Sequence, residues 1–280
     1  MYRRILAAVN EYSNSELAAR YAISLAHACQ AKLTLIFVAA QGMDLTLIRQ
    51  AEAALERLFL EAAAKNLEVE SIIKRGEALP HISAVVRENE IDLAFSATRH
   101  EDVSRRYFTR TVARKLMLNL PCSVALVRVV HPGQLFPQNI LVPFRGRPPH
   151  LEEKAFFVGK LAEAFSAAVT LFHAPEPISR FFADLRRGKP PAPEKHIPHE
   201  IDRFLNYLEK FRISPQHRLG LGPAGRAITL EAALQRHDLI IMGASERGLW
   251  ESLISRDPVE EVLRETPCNL IILLPRLKRP

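Results

Sequence analysis

Six basic side chains crowd into one stretch of the chain: Arg99, Arg105, Arg106, Arg110, Arg114 and Lys115, against only Glu101 and Asp102. Guanidinium groups at this density suit phosphate or carboxylate, because their planar donors pair with two oxygens at once. Thr98, Ser104 and Thr111 add hydroxyls to the same stretch. If a helix reaches back far enough, Arg106, Arg110 and Arg114 stack on one face at four-residue spacing. The plainer account of such a run is a solvated helix face. A second cationic pair, Arg145 and Arg147, could receive an acidic metabolite or an internal carboxylate such as Glu246 or Asp257, and the internal ion pair is the reading we favour.

Other constellations carry less. The histidines are scattered, and only His196-Ile197-Pro198-His199 has a ligand-like spacing, without a third ligand to complete a metal site. Ser96 and Ser245 lack a Gly-x-Ser-x-Gly elbow and an assignable His/Asp partner, so hydrolase chemistry is not expected. Trp250 reads as packing or interface rather than a stacking platform.

The net charge of +7 suggests nucleic acid, but it is spread evenly. Residues 1 to 135 hold 17 Lys/Arg and 14 Asp/Glu, leaving +4 for the remainder, so neither half is a basic arm. No nucleic-acid module or aromatic platform accompanies the charge, and nucleic acid is not the expected partner. The three cysteines, Cys29, Cys122 and Cys268, are an odd set that reads as small buried apolar groups in a reducing compartment. No basic and apolar leader opens the chain, and its apolar runs stop short of the ~20 residues a membrane span needs. The expectation is a cytoplasmic protein without a membrane segment.

The elements that must position these residues occur twice. Gly76-Glu77-Ala78, Ile82, Ile91-Asp92-Leu93 and Leu120-Pro121-Cys122 recur 146 residues later as Gly222-Pro223-Ala224, Ile228, His237-Asp238-Leu239 and Thr266-Pro267-Cys268. Such a constant offset over apolar runs and turn residues alike marks a tandem duplication. The front halves match at a shorter offset, Leu33-Thr34-Leu35 with Val169-Thr170-Leu171 at 136. The second copy therefore carries ten extra residues, which we place in the Pro-rich stretch at about 175–198, an exposed loop or lid. Domains of 1–135 and 136–280 follow, each of ordinary size.

Within each copy, short continuous apolar runs alternate with amphipathic segments. Strands are expected at Ile5 to Val9, Leu33 to Val38, Val69 to Lys74, Leu93 to Ser96 and Val124 to Val130. Their counterparts run over Ile140 to Val142, Val169 to Phe172, His217 to Leu221, Leu239 to Met242 and Leu270 to Leu274. Helical spacing appears at Leu17, Tyr21, Leu25 and Cys29 and again at Phe157, Leu161 and Phe165. Alternation of this kind predicts an α/β fold with two doubly wound, five-stranded parallel sheets whose strands are buried on both faces. In such sheets ligands bind beyond the carboxyl ends of the strands, where strand order reverses. The loops after strands one, two and four are thus the places to look.

The second copy's fourth strand, then Gly243-Ala244-Ser245-Glu246-Arg247-Gly248, then Pro267-Cys268 before a terminal strand, resembles the universal stress protein family over essentially the whole chain. The resemblance implies a fold related to adenine nucleotide alpha hydrolase-like domains, many of which bind ATP or AMP while others bind none. It also implies pairing of the last strands, here Val124 to Val130 with Leu270 to Leu274, as an internal pseudo-dimer, with a further homodimer open. Binding members carry an Asp at the end of strand one and, after strand four, a glycine, two residues, a glycine, nine residues, a glycine and then Ser or Thr. Glycines let backbone N–H groups reach the phosphates at a helix N-terminus. Here Asn10 replaces the Asp, and Ala97, His100 and Arg110 replace the glycines, with Thr111 keeping its type. In copy two the same positions hold Arg145, Gly243, Glu246 and Arg256, then Asp257.

The expected function is a non-enzymatic stress-response or regulatory binding module with degenerate nucleotide loops, no cofactor and protein partners. The alternative is an ATP- or AMP-binding switch or slow ATPase in the first copy. There Asn10, Val38, Ala97, Thr98, Arg99, Arg110 and Thr111 would form the site. Gly243 and Gly248 are its degenerate remnant in the second copy.

Overall fold

A computed structural model describes residues 1–98, 111–144, 150–173, 199–220, 222–244 and 258–276. The first copy runs β1 Arg4–Val9, α1 Ser13–Cys29, β2 Lys32–Ala39, α2 Leu45–Ala64, β3 Val69–Arg75, α3 Ala78–Glu88, β4 Leu93–Thr98, α4 Val112–Asn119 and β5 Ser123–Arg128. The second runs β6 Asn139–Phe144, α5 Leu151–Phe165, β7 Ala168–His173, α6 His199–Glu209, β8 Gln216–Leu219, α7 Ala224–Leu234, β9 Leu239–Gly243, α8 Pro258–Glu265 and β10 Asn269–Leu274.

The two five-stranded sheets merge into one of ten strands, ordered β3-β2-β1-β4-β5-β10-β9-β6-β7-β8. Within each copy the neighbours are parallel, and at the seam β5 pairs antiparallel with β10. At the middle of that seam Leu126 faces Ile272, its own counterpart in the repeat. A residue facing its equivalent is the mark of a two-fold, isologous contact, realised here inside one chain. Helices α1, α2, α5 and α6 cover one face, over Leu35, Phe37, Phe95 and Val142. Helices α3, α4, α7 and α8 cover the other, over Leu6, Ile36, Leu126 and Ile240.

Three devices explain residues that recur in both copies. Asp92 Oδ2 accepts the backbone N–H groups of Arg3 (2.6 Å) and Arg4 (2.9 Å), and Asp238 Oδ2 does the same for Gln138 (2.8 Å) and Asn139 (3.0 Å). Each Asp ties the start of the fourth strand to the start of the first. Gly76 and Gly222 both take positive φ (+131° and +95°), a region closed to most side chains. The third device crosses the seam: Ser123 Oγ accepts from Arg276 N (2.8 Å), while Asn269 Oδ1 accepts from Val130 N (2.9 Å) and His131 N (3.0 Å). The residue opening each last strand thereby holds the backbone that leaves the other.

Two expectations needed correction. The strands at the ends of the sheet, β3 and β8, are not buried on both faces, since each has only one neighbour, and all four residues of β8 are exposed. The last strand of copy one stops at Arg128 rather than Val130, because Asn269 takes the next N–H groups out of the ladder. Cys122 and Cys268 are buried, with burial pushing both thiols up to about 12, and Cys29 is half-buried with its thiol at about 11 for the same reason.

Candidate functional site

Strand order reverses between β1 and β4 in copy one and between β6 and β9 in copy two, so each copy has a crevice at those carboxyl ends. In the first crevice Val9 is in register with Phe37, which sets Asn10 beside Val38. Asn10 Oδ1 accepts the N–H of Tyr12 (2.9 Å), closing an Asx turn into α1. Asn10 N donates to Ser15 Oγ (3.0 Å), which in turn donates to the carbonyl of Tyr12 (2.8 Å). Asn14 Nδ2 reaches across to the carbonyl of Thr98 (3.4 Å), linking β4 to the first turn of α1. Val38 and Ala97 are half-buried and pack on opposite cores. Thr111 is the N-cap of α4, its side chain accepting from Arg114 N (3.2 Å). Asn10, Val38, Ala97 and Thr98 are therefore brought to one end of the sheet, while Thr111 opens the helix that packs on β4 and β5.

The second crevice is occupied by the chain itself. Lys154, on the first turn of α5, is buried with 3% of its surface exposed, and Nζ donates to the carbonyl of Pro143 (2.9 Å) at the end of β6. Nζ lies 4.3 Å from the centroid of the Phe144 ring and 5.9 Å from that of Phe204, which meet edge to face at 4.6 Å. Gly243, at the end of β9, lies against this arrangement: a Cβ there would sit 3.6 Å from Lys154 Cδ, an ordinary packing contact. Its backbone is not in the left-handed region either, so neither conformation nor clearance requires a glycine here. Burial pulls the Lys154 amine down to about 7, and the flanking rings, which favour a cation, do not reverse it.

Arg99, Arg110 and Gly248 lie outside the described residues, as do His100, Ser104, Arg105, Arg106, Arg145, Arg147, Glu246, Arg256, Asp257, His196, Trp250 and the 175–198 stretch. Lys154 was missed by sequence reasoning, although a signal existed: it falls on the buried stripe of α5 with Val158, Leu161 and Phe165. Arg128 was missed likewise, as a cation inside the apolar run of β5.

The family comparison agrees with this architecture. The universal stress protein family model matches residues 1–128 and again 137–273, and the chain belongs to that family. A universal stress protein from Archaeoglobus fulgidus superposes with a TM-score of 0.68 at 12% identity, covering 97% of this chain and 96% of that one. A putative universal stress protein from Pseudomonas aeruginosa gives 0.65 at 18% identity, covering 98% and 94%. The cytoplasmic domain of a prokaryotic cation chloride cotransporter gives 0.57 at 12% identity, covering 99% and 96%. At these identities the likeness is one of fold. No curated protein matches the chain by sequence. Among the described residues no helix is long and apolar enough to cross a membrane.

Proposed function

We propose that the chain is a non-enzymatic regulatory binding module of the cytoplasm that works through protein partners in a stress response, without a cofactor. Its two domains, 1–135 and 136–280, act as one internal pseudo-dimer, and a further homodimer is compatible with this reading. The observation that carries it is Lys154: the crevice where a nucleotide would enter the second copy is taken by a lysine and two phenylalanines of the chain. Filling a crevice with packed side chains removes the concavity that small-molecule sites need. In the first crevice the Asn10 carboxamide oxygen is committed to its own turn, which also supports loss of the ribose contact an acidic residue would give.

A second reading, an ATP- or AMP-binding switch in the first copy, is favoured by size. Matching the registers β1 to β2 and β6 to β7 pairs Phe144 with Val9, and the helix offset of 136 pairs Lys154 with Ala18. The first copy thus has smaller side chains, themselves buried, where the second has Phe144 and Lys154.

The test is a thermal-shift titration of nucleotide-stripped protein with ATP, ADP and AMP, with and without magnesium. A ligand bound by the folded state alone raises stability by ~2.7 kcal/mol at a hundredfold excess over its dissociation constant. The module reading expects no shift at millimolar nucleotide. A saturable shift abolished by Arg110→Glu and untouched by Arg256→Glu would establish the second reading in its place.

A further inference from the structure

Two neighbouring buried side chains in the first copy carry polar atoms without a hydrogen-bond partner among the described residues. Thr98, 2% exposed, ends β4 with its hydroxyl unbonded, and Arg128, 5% exposed, ends β5 with Nε and Nη1 unbonded. The two residues are in register on adjacent parallel strands, so their side chains emerge side by side on the same face of the sheet. That face is the one covered by α4 and α8, as Leu126, two residues before Arg128, shows by packing there. The guanidinium makes a single long bond, from Nη2 to the carbonyl of Arg264 at the end of α8 (3.4 Å). Burial lowers its pKa, and no carboxylate among the described residues opposes that. Glu260 on α8 pairs with Arg264 (3.4 Å) and acts on Arg114.

The second copy shows what this position looks like when only packing is required. The 146-residue offset pairs Thr98 with Ala244 and Arg128 with Leu274, and both join the apolar core of that face. Copy one therefore has a hydroxyl and a cation where copy two has an apolar pair, and Thr98 Oγ1, Arg128 Nε and Arg128 Nη1 find no acceptor or donor among the described residues. A buried unmatched guanidinium is costly, whereas the apolar pair is not. A buried water could satisfy the hydroxyl, but it would not neutralise the charge.

We propose that Thr98 and Arg128 form an oxyanion site at the seam between the two copies, taking inorganic phosphate or the phosphate of a monoester. The anion would accept from Arg128 Nε and Nη1 and from the Thr98 hydroxyl, charge-assisted bonds that only an anionic acceptor makes at full strength. The site spans the ends of β4, which borders the crevice between β1 and β4, and of the seam strand β5, and it uses none of the glycine positions. It shares Thr98 with the first-copy nucleotide reading, and Arg128 is the residue that distinguishes it.

The test uses the full chain, dialysed free of phosphate, with thermal unfolding followed against inorganic phosphate, sulfate and AMP at constant ionic strength. The wild type should show a saturable rise in midpoint. Arg128→Met should melt higher than the wild type without ligand, because the orphaned charge is gone, and should lose the response. Thr98→Val should retain the fold and weaken the response several-fold. Arg276→Met, which removes a guanidinium bonded to the carbonyls of Leu118 and Leu120, serves as the control and should keep the response. A rise with inorganic phosphate identifies the free anion as sufficient. A rise with AMP alone, lost in Arg128→Met, identifies the monoester. Absence of any response in the wild type up to tens of millimolar, or a response that survives Arg128→Met, overturns the proposal.

Discussion

The two crevices of this chain began as the same structure and now differ in what fills them. At equivalent points copy one has Val9, Ala18 and Leu58, and copy two has Phe144, Lys154 and Phe204. The backbone around them has hardly diverged: the left-handed residues that end the matching helices, Gln30 and Ser166, Asn66 and Arg212, Glu90 and Arg236, keep φ between 47° and 57°. Duplication preserved the scaffold and let the side chains at the strand ends specialise. The second copy packs aromatic rings around an amine there, while the first has buried aliphatic side chains at those points and polar groups without partners among the described residues next to the seam.

Lys154 offers the largest effect by which this comparison can be broken. Its amine titrates at about 7 when folded, against about 10.4 in an unfolded chain. Between those values the unfolded state binds more protons, so stability should climb as pH rises from about 7 towards 10 and be level with respect to this group below 7. The full span is on the order of 4 kcal/mol. Lys154→Met should fold more stably at neutral pH and lose that slope, as read by urea denaturation at pH 7 and pH 9.5. An unchanged slope would mean that the amine is not sealed in.

The seam sharpens the comparison at intermediate size. Asn269→Ala removes acceptors for Val130 N and His131 N and a donor to the Tyr21 hydroxyl (3.2 Å), and should cost about 2 kcal/mol. Ser123→Ala, at the equivalent position, removes one acceptor, for Arg276 N, and should cost about 1 kcal/mol. Equal losses in denaturant melts would show that the seam is symmetric in energy as well as in shape.

The smallest effect concerns His237, which stands where copy one has Ile91. Neither ring nitrogen has a hydrogen-bond partner among the described residues, and burial first, then Arg218, lowers its pKa. The folded state therefore holds the ring neutral. As pH falls through about 6.5 the unfolded chain takes up a proton that the folded one resists, so stability falls with acidification. His237→Ile should flatten this part of the profile, and melts at pH 7 and pH 5.5 would reveal it.

Much of the fold was legible because duplication wrote it twice. Asp92 and Asp238 stood out by repetition alone, and the structure supplies their reason in the backbone N–H groups they collect. The pairing of the last strands followed from the family resemblance and holds in the seam between β5 and β10. The site was less legible. Asn10 matched the acid of binding members by position, but which partner its carboxamide takes depends on a turn that spacing does not reveal. Lys154 and Arg128 were visible as cations on apolar stripes, yet only packing shows that one fills a crevice and the other lacks acceptors. A periodic pattern reports which face a residue occupies and is silent on whether its polar atoms are satisfied there.

The claim that the second crevice is sealed and the chain has no catalytic cycle is tested most directly by calorimetric stoichiometry. Nucleotide-stripped full-length protein would be titrated with ATP and magnesium while phosphate release is followed in the same sample. The account predicts no steady release and no nucleotide bound at millimolar concentration in either copy. A saturable site in either copy, or phosphate released at a constant rate over many turnovers, would contradict it.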